Sequence, residues 1–185
     1  MNRVTVVGGG VRSGKSAFAL RLAMQYGGPR AFVATAEALD GEMRARIARH
    51  VAERADRFDT IEAPRDLEDA VTALRGRAEV VVIDCLTLWL SNLLLAGDAS
   101  AAIEARVEAL ASALRGAPFA SIVVTNEVGM GIVPESELGR RFRDVAGRAH
   151  QVLARRAGHL YLATLGVVMR VRPGPVQVVD PEEPA

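Results

Sequence analysis

Val4-Thr5-Val6-Val7-Gly8-Gly9-Gly10-Val11-Arg12-Ser13-Gly14-Lys15-Ser16-Ala17-Phe18-Ala19-Leu20 is the stretch that decides the fold. A β-branched run breaks into a glycine-rich loop, and the loop opens directly onto a helical pattern. Gly9, Gly10, Val11, Arg12, Ser13, Gly14, Lys15 and Ser16 fit G-x-x-x-x-G-K-[ST] in its required strand-loop-helix context. Lys15 is the only lysine in a chain with twenty-two arginines. A slim stem with a compact ammonium reaches over a phosphate-binding loop, where a planar guanidinium does not fit. The backbone N–H groups of residues 10–16 and the helix dipole would face a β-phosphate, and the Ser16 hydroxyl would ligate Mg²⁺. The motif points to nucleoside triphosphate chemistry.

Outward from this loop, short β-branched runs alternate with longer helical patterns, the signature of βαβ units around a mostly parallel sheet. Strands are expected near 3–7, 31–35, 79–84, 120–125, 159–164 and 167–171. Helices are expected near 14–25, 41–56, 66–75, 86–96, 101–115 and 136–157. The fold class is therefore α/β: a P-loop, RecA-like three-layer domain over residues 1–172. Residues 173–185, rich in proline and acid, are expected to form a flexible tail.

Val80-Val81-Val82-Ile83-Asp84 reads as a central parallel strand whose terminal carboxylate emerges beside the phosphate loop, where it would share the metal with Ser16. The plainer alternative is an acid that caps the helix starting at Leu86. Cys85 next to it reads as core packing.

Composition narrows the function classes. At 185 residues with a formal net charge of +1, the chain is one domain without the basic block of a nucleic-acid binder, and aromatics at 4% argue against base-stacking platforms. A single cysteine excludes an internal disulfide, and three scattered histidines exclude a cysteine/histidine zinc cage. No signal peptide is expected, because the apolar run after Met1 is too short. The apolar segment from Leu86 to Ala96 falls far short of a membrane span. A cytoplasmic location is expected.

His50 flanks the apolar stripe Leu39, Met43, Ile47, Val51, and spacing alone reads it as a surface or half-buried helix histidine. Thr125-Asn126-Glu127-Val128-Gly129-Met130-Gly131-Ile132-Val133-Pro134 is less ordinary, since it leaves a strand and passes two glycines where α/β sheets bind ligands. His150 and His159 have no evident partners in sequence and read as structural or surface residues.

At this point the sequence resembles the bifunctional adenosylcobinamide kinase/adenosylcobinamide-phosphate guanylyltransferases of cobalamin biosynthesis. The resemblance runs from residue 4 to about residue 171. It rests on the phosphate loop, Ala34-Thr35-Ala36, Asp40-Gly41-Glu42-Met43 with Arg46-Ile47, His50, Arg54, Thr60-Ile61-Glu62, Asp84-Cys85-Leu86-Thr87, Thr125 to Pro134, and Arg141 to Arg148. It implies that His50 is the guanylylated histidine, that Glu62 and the segment around Arg54 contact the guanine nucleotide, and that Ala34, Thr35 and Ala36 are nucleotide-binding positions. It implies that Asp84 is an acidic metal or nucleotide position. It also implies ATP and GTP as substrates, Mg²⁺, a homotrimer, and a corrinoid whose aminopropanol hydroxyl is phosphorylated before GMP is attached. Ala36, Ala55 and Phe58 stand where the family commonly has Ser, Pro and Trp, which bears on details of guanosine contact.

A neutral imidazole can attack the α-phosphorus of GTP, expel pyrophosphate and pass GMP to a phosphate acceptor. Two rivals remain at this stage: a monofunctional P-loop small-molecule kinase, and a nucleotide-dependent switch or strand-exchange motor. A helix beginning near Gly41 would carry His50 about 12 Å along its axis. That leaves open whether it serves its own phosphate loop or a neighbour's.

Overall fold

Val80, Val81, Val82 and Ile83 are all fully buried, so the strand they form is covered on both faces and must lie inside a sheet. A computed structural model describes residues 3–37, 41, 51, 55–180 and 182. In chain order its elements are β1 (Val4–Gly9), α1 (Lys15–Met24), β2 (Arg30–Ala34), a 3₁₀ turn (Ala55–Arg57), β3 (Asp59–Glu62), α2 (Leu67–Ala73) and β4 (Val80–Asp84). Then come α3 (Leu86–Leu95), α4 (Ser100–Arg115), β5 (Ala120–Asn126), α5 (Glu137–Arg156), β6 (His159–Thr164), β7 (Val167–Arg172) and β8 (Gln177–Val179).

The strands form one sheet in the order β3-β2-β4-β5-β1-β6-β7-β8. Neighbours from β3 to β6 are parallel, and β7 and β8 add antiparallel. Alternation along the strands divides the core. Val4, Val6, Val81, Ile83 and Val123 face Leu67, Trp89, Ile103, Leu110, Val145 and Leu153 from α2 to α5. Val7, Val80, Val82, Ile122 and Val124 face Phe18, Ala19 and Leu22 of α1. The result is the expected three-layer α/β domain, with α1 on one face.

The structure departs from the sequence reading at three places. β1 runs on through Gly8 and Gly9, because its ladders to Thr125, Asn126, Leu162 and Ala163 are made by main-chain groups that need no side chain. β3 gives no alternation signal, being four residues long and mostly exposed at the sheet edge. The helix expected over 41–56 lies largely outside the described residues. The tail expected over 173–185 is in part a strand: β8 pairs with β7, and Val179 is buried to 6% exposure against Val168. Val176, Val178 and Val179 give that segment β-branched residues to complete an open sheet edge, which outweighs the prolines around it. Ending the chain at Pro175 is expected to cost about 2 kcal/mol, the burial of one valine. The urea midpoint of the truncated chain checks this.

Candidate active site

The phosphate loop is held by contact rather than by side chains. A Cβ on Gly9 would lie 2.4 Å from the Ala163 carbonyl oxygen and 2.6 Å from Ser13 Oγ, so only glycine fits between β1 and β6. Arg12 and Gly14 adopt left-handed backbone, φ 55° and 91°, on either side of Ser13. Such alternation turns successive N–H groups toward one concavity, the geometry that binds anions. Gly14 caps α1 with no side-chain hydrogen bond, and no acid sits in the first turn. The helix end is thus left positive. Lys15, 7% exposed, folds back so that Nζ donates to the Gly10 carbonyl at 3.0 Å. Ser13 Oγ is buried without a partner in the loop, and Ser16 is half-buried just inside α1.

Asp84 ends β4 and shares strand parity with Val80 and Val82, which places it on the α1 face. It precedes Cys85, whose thiol is pushed up by burial first and then by the Asp84 charge, with Thr87 and Lys15 pulling the other way. Asp84 and Lys15 thus act on one point. Thr35 fixes this corner: its hydroxyl accepts from Cys85 N at 2.8 Å and donates to Cys85 O at 2.7 Å, and its own N–H donates to Asp84 O at 3.4 Å. Asn92 takes the Thr35 carbonyl at 2.8 Å. Every polar group of Thr35 has a partner inside the protein, so this residue braces the corner from which Asp84 emerges.

The rim continues through Thr87 Oγ1, which accepts from Asn126 N at 3.3 Å, and Glu127 N, which donates to Gly9 O at 3.1 Å. Sequence reasoning missed what lies here. His150 Nε2 is 2.7 Å from Thr125 Oγ1, and Nδ1 is 3.7 Å from Glu127 Oε2, so this histidine does have partners. Its pKa is held below the ordinary 6.5 by burial, with Glu127 opposing, so the contact is between a neutral ring and a carboxylate. Beyond Gly129 the loop turns outward, leaving Met130 and Ile132 88% and 97% exposed.

Of the other expected residues, Ala34 ends β2 in register with Asp84 and Glu62, and Ala36 is half-buried just past it. Glu62 is exposed at the end of the edge strand, four strand spacings or about 19 Å from β1. The structure does not bring it to the phosphate loop. His50 and Arg54 lie outside the described residues. His159 is exposed at the start of β6, at the opposite end of the sheet. No group of three or more His, Cys, Asp or Glu that could hold a metal is present among the described residues. Mg²⁺ needs none, since it takes one or two protein oxygens and completes its shell with phosphate and water. Ser16 and Asp84 fit that donor set.

A loop of this geometry at the carboxyl end of a central parallel strand defines a P-loop nucleotide-binding domain. The chain matches the family described as cobinamide kinase / cobinamide phosphate guanyltransferase over residues 5–171, and it belongs to that family. It is 43% identical over 171 residues to the bifunctional adenosylcobalamin biosynthesis protein CobP of Pseudomonas aeruginosa, covering 91% of this chain and 96% of that one. It is 38% identical over 179 residues to the corresponding CobU of Escherichia coli, covering 90% and 98%. Among solved structures it is similar to the RadB recombinase, with a TM-score of 0.56 and 16% identity over 98% of this chain and 89% of that one. That likeness shows the fold alone. The chain is a bifunctional enzyme of cobalamin biosynthesis, a kinase for cobinamide and a guanyltransferase for cobinamide phosphate, which sets aside the monofunctional and motor readings. No helix among the described residues is long and apolar enough to cross a membrane.

Gly9→Ala is expected to cost about 1–3 kcal/mol through the clash with Ala163. Gly10→Ala, with nothing within 4 Å of the added carbon, should stay within about 0.5 kcal/mol of wild type. Denaturant midpoints at unchanged slope distinguish the two. A second expectation concerns His150. Its pKa is depressed on folding, so the unfolded chain takes up the proton first and stability is lost as pH falls below about 6.5. In thermal unfolding followed from about pH 7 to about pH 5, His150→Asn should lose less stability with acidification than wild type.

Proposed function

We propose that the enzyme phosphorylates adenosylcobinamide with ATP or GTP and then moves GMP from GTP to adenosylcobinamide phosphate through a guanylyl group carried on His50. The observation that carries the nucleotide half is the Gly9–Ser16 loop, with Lys15 folded over a concavity of backbone N–H groups. Lys15 and the loop amides neutralise the charge that builds on the departing diphosphate or pyrophosphate. Ser16 and Asp84 would hold Mg²⁺, which supplies charge neutralisation at the phosphates when bound.

In the guanylyl half, an imidazole nitrogen of His50 forms a bond to the α-phosphorus and pyrophosphate leaves. The phosphate oxygen of the acceptor then displaces the imidazole, giving adenosylcobinamide-GDP and free His50. Glu62, far along the rim from the phosphate loop, suits contact with a second nucleotide position, together with Arg54. The same reading takes the enzyme as a cytoplasmic homotrimer. The lone cysteine is buried, which fits assembly without disulfides.

The test uses GTP labelled at the α-phosphate. A protein adduct lost in acid and stable in base is expected, as for a phosphoramidate. His50→Ala should lose the adduct and guanylyl transfer but retain kinase turnover, whereas Lys15→Ala should lower both activities by about 100-fold or more. Full labelling of His50→Ala, or an adduct mapped to His150 or His159, would refute the assignment.

A further inference from the structure

The kinase reaction has a requirement that the guanylyl reaction lacks. Its acceptor is a hydroxyl, whose proton must be taken as the oxygen bonds to phosphorus, while the guanylyl acceptor is a phosphate already ionised at neutral pH. Lys15, Ser16 and the loop amides hold no base. Asp84 is assigned to the metal. A further carboxylate is built into the rim beside the phosphate loop: Glu127, whose backbone N–H is bonded to Gly9 O at 3.1 Å.

That carboxylate is hydrogen-bonded on one side and faces the His150 ring on the other. Oε1 accepts from Gly129 N at 2.5 Å, and Oε2 lies 3.7 Å from His150 Nδ1. A Cβ at position 129 would lie 2.9 Å from Oε1, so glycine leaves the carboxylate room to fold back at this spot. The Gly129 carbonyl is itself fixed by Arg143 at 2.8 Å. Thr125, near the end of β5, reaches the other ring nitrogen of His150 at 2.7 Å. With the Thr125 hydroxyl donating to Nε2, the ring proton sits on Nδ1 and faces the carboxylate, which is the electrostatically favoured tautomer. The Glu127 side chain nevertheless keeps 33% exposure. It is fixed in place but open to an incoming ligand, as a base must be.

We propose that Glu127 takes the proton from the acceptor hydroxyl in the kinase reaction and that His150 is the residue that positions its carboxylate. The hydroxyl oxygen forms a bond to the γ-phosphorus as the bond from that phosphorus to the β–γ bridging oxygen breaks. The electron pair stays with the departing nucleoside diphosphate, and the hydroxyl proton passes to Glu127 and then to solvent. The inference rests on the kinase reaction and is independent of His50.

The experiment measures both reactions on the full-length enzyme: phosphorylation of cobinamide, and guanylyl transfer to cobinamide phosphate supplied ready-made. In Glu127→Gln the ratio of kinase to guanylyl-transfer turnover should fall by at least about 100-fold, carried by kcat while KM for the nucleotide stays within about twofold. His150→Ala should lower the same ratio by about tenfold, and His150→Asn, whose amide can replace the Nδ1 donor, should recover part of it. Should Glu127→Gln fail to fold, Glu127→Asp decides, with a fall in the ratio of at least about tenfold expected from a base withdrawn by one methylene. A ratio unchanged from wild type in the folded Glu127 variant would overturn the proposal and leave the carboxylate a loop clamp. Equal losses in His150→Ala and His150→Asn would overturn the positioning role. An altered guanylyl adduct in these variants would instead bear on His50, so the two assignments fail separately.

Discussion

Everything at the ligand-binding end of this sheet depends on how closely the backbone of β1 passes its neighbour. At Gly9 there is no volume for even one carbon between the strand, the Ala163 carbonyl and the Ser13 hydroxyl. Because β1 lies between β5 and β6, this approach fixes the level at which the phosphate loop leaves the sheet. From there, hydrogen bonds lash the strand ends together: Glu127 to Gly9, Asn126 to Thr87, and Cys85 to Thr35. The groups gathered at this end come from different strands, yet one set of hydrogen bonds, main chain to main chain and main chain to hydroxyl, sets their spacing.

The same end of the molecule shows how polar groups are accommodated in a dry core. Asn92 interrupts the apolar helix α3, and it donates both to Thr35 O and to Pro64 O, at 2.8 and 2.9 Å. Trp89, one turn earlier, donates to Arg65 O at 2.8 Å, and Arg106 stacks over its ring while pairing with Glu68. The segment joining β3 to α2 is thus docked on α3 and α4 by carbonyls that buried side chains satisfy. Leaving any one of these carbonyls without its donor would cost the desolvation of a buried acceptor.

Much of this was legible in the sequence because it is local. The phosphate loop declares itself in eight consecutive residues, and the run Val80 to Ile83 can only be an inner strand. Strand parity and length also fix where this strand ends, and β4 ends at Asp84. What was not legible depends on contacts distant in sequence. His150 reads from the sequence only as a structural or surface residue on a long helix, and its partners Thr125 and Glu127 come from a strand end and a loop brought there by β5. The bracing role of Thr35 is invisible for the same reason, since its hydroxyl bonds a peptide fifty residues away. β8 was missed because its stability comes from the open edge of β7 and not from its own composition.

The placement of Lys15 also makes the protein unusual as a chemical reagent. Amine-directed acylation ordinarily scatters over many surface lysines, but here the chain has one side-chain amine, mostly buried and bonded to the carbonyl of its own loop. The rest of the positive charge is guanidinium, which such reagents leave alone. The nucleotide site is therefore also the one lysine handle on the molecule, and the arginine-rich surface is inert to the chemistry commonly used to immobilise or label proteins.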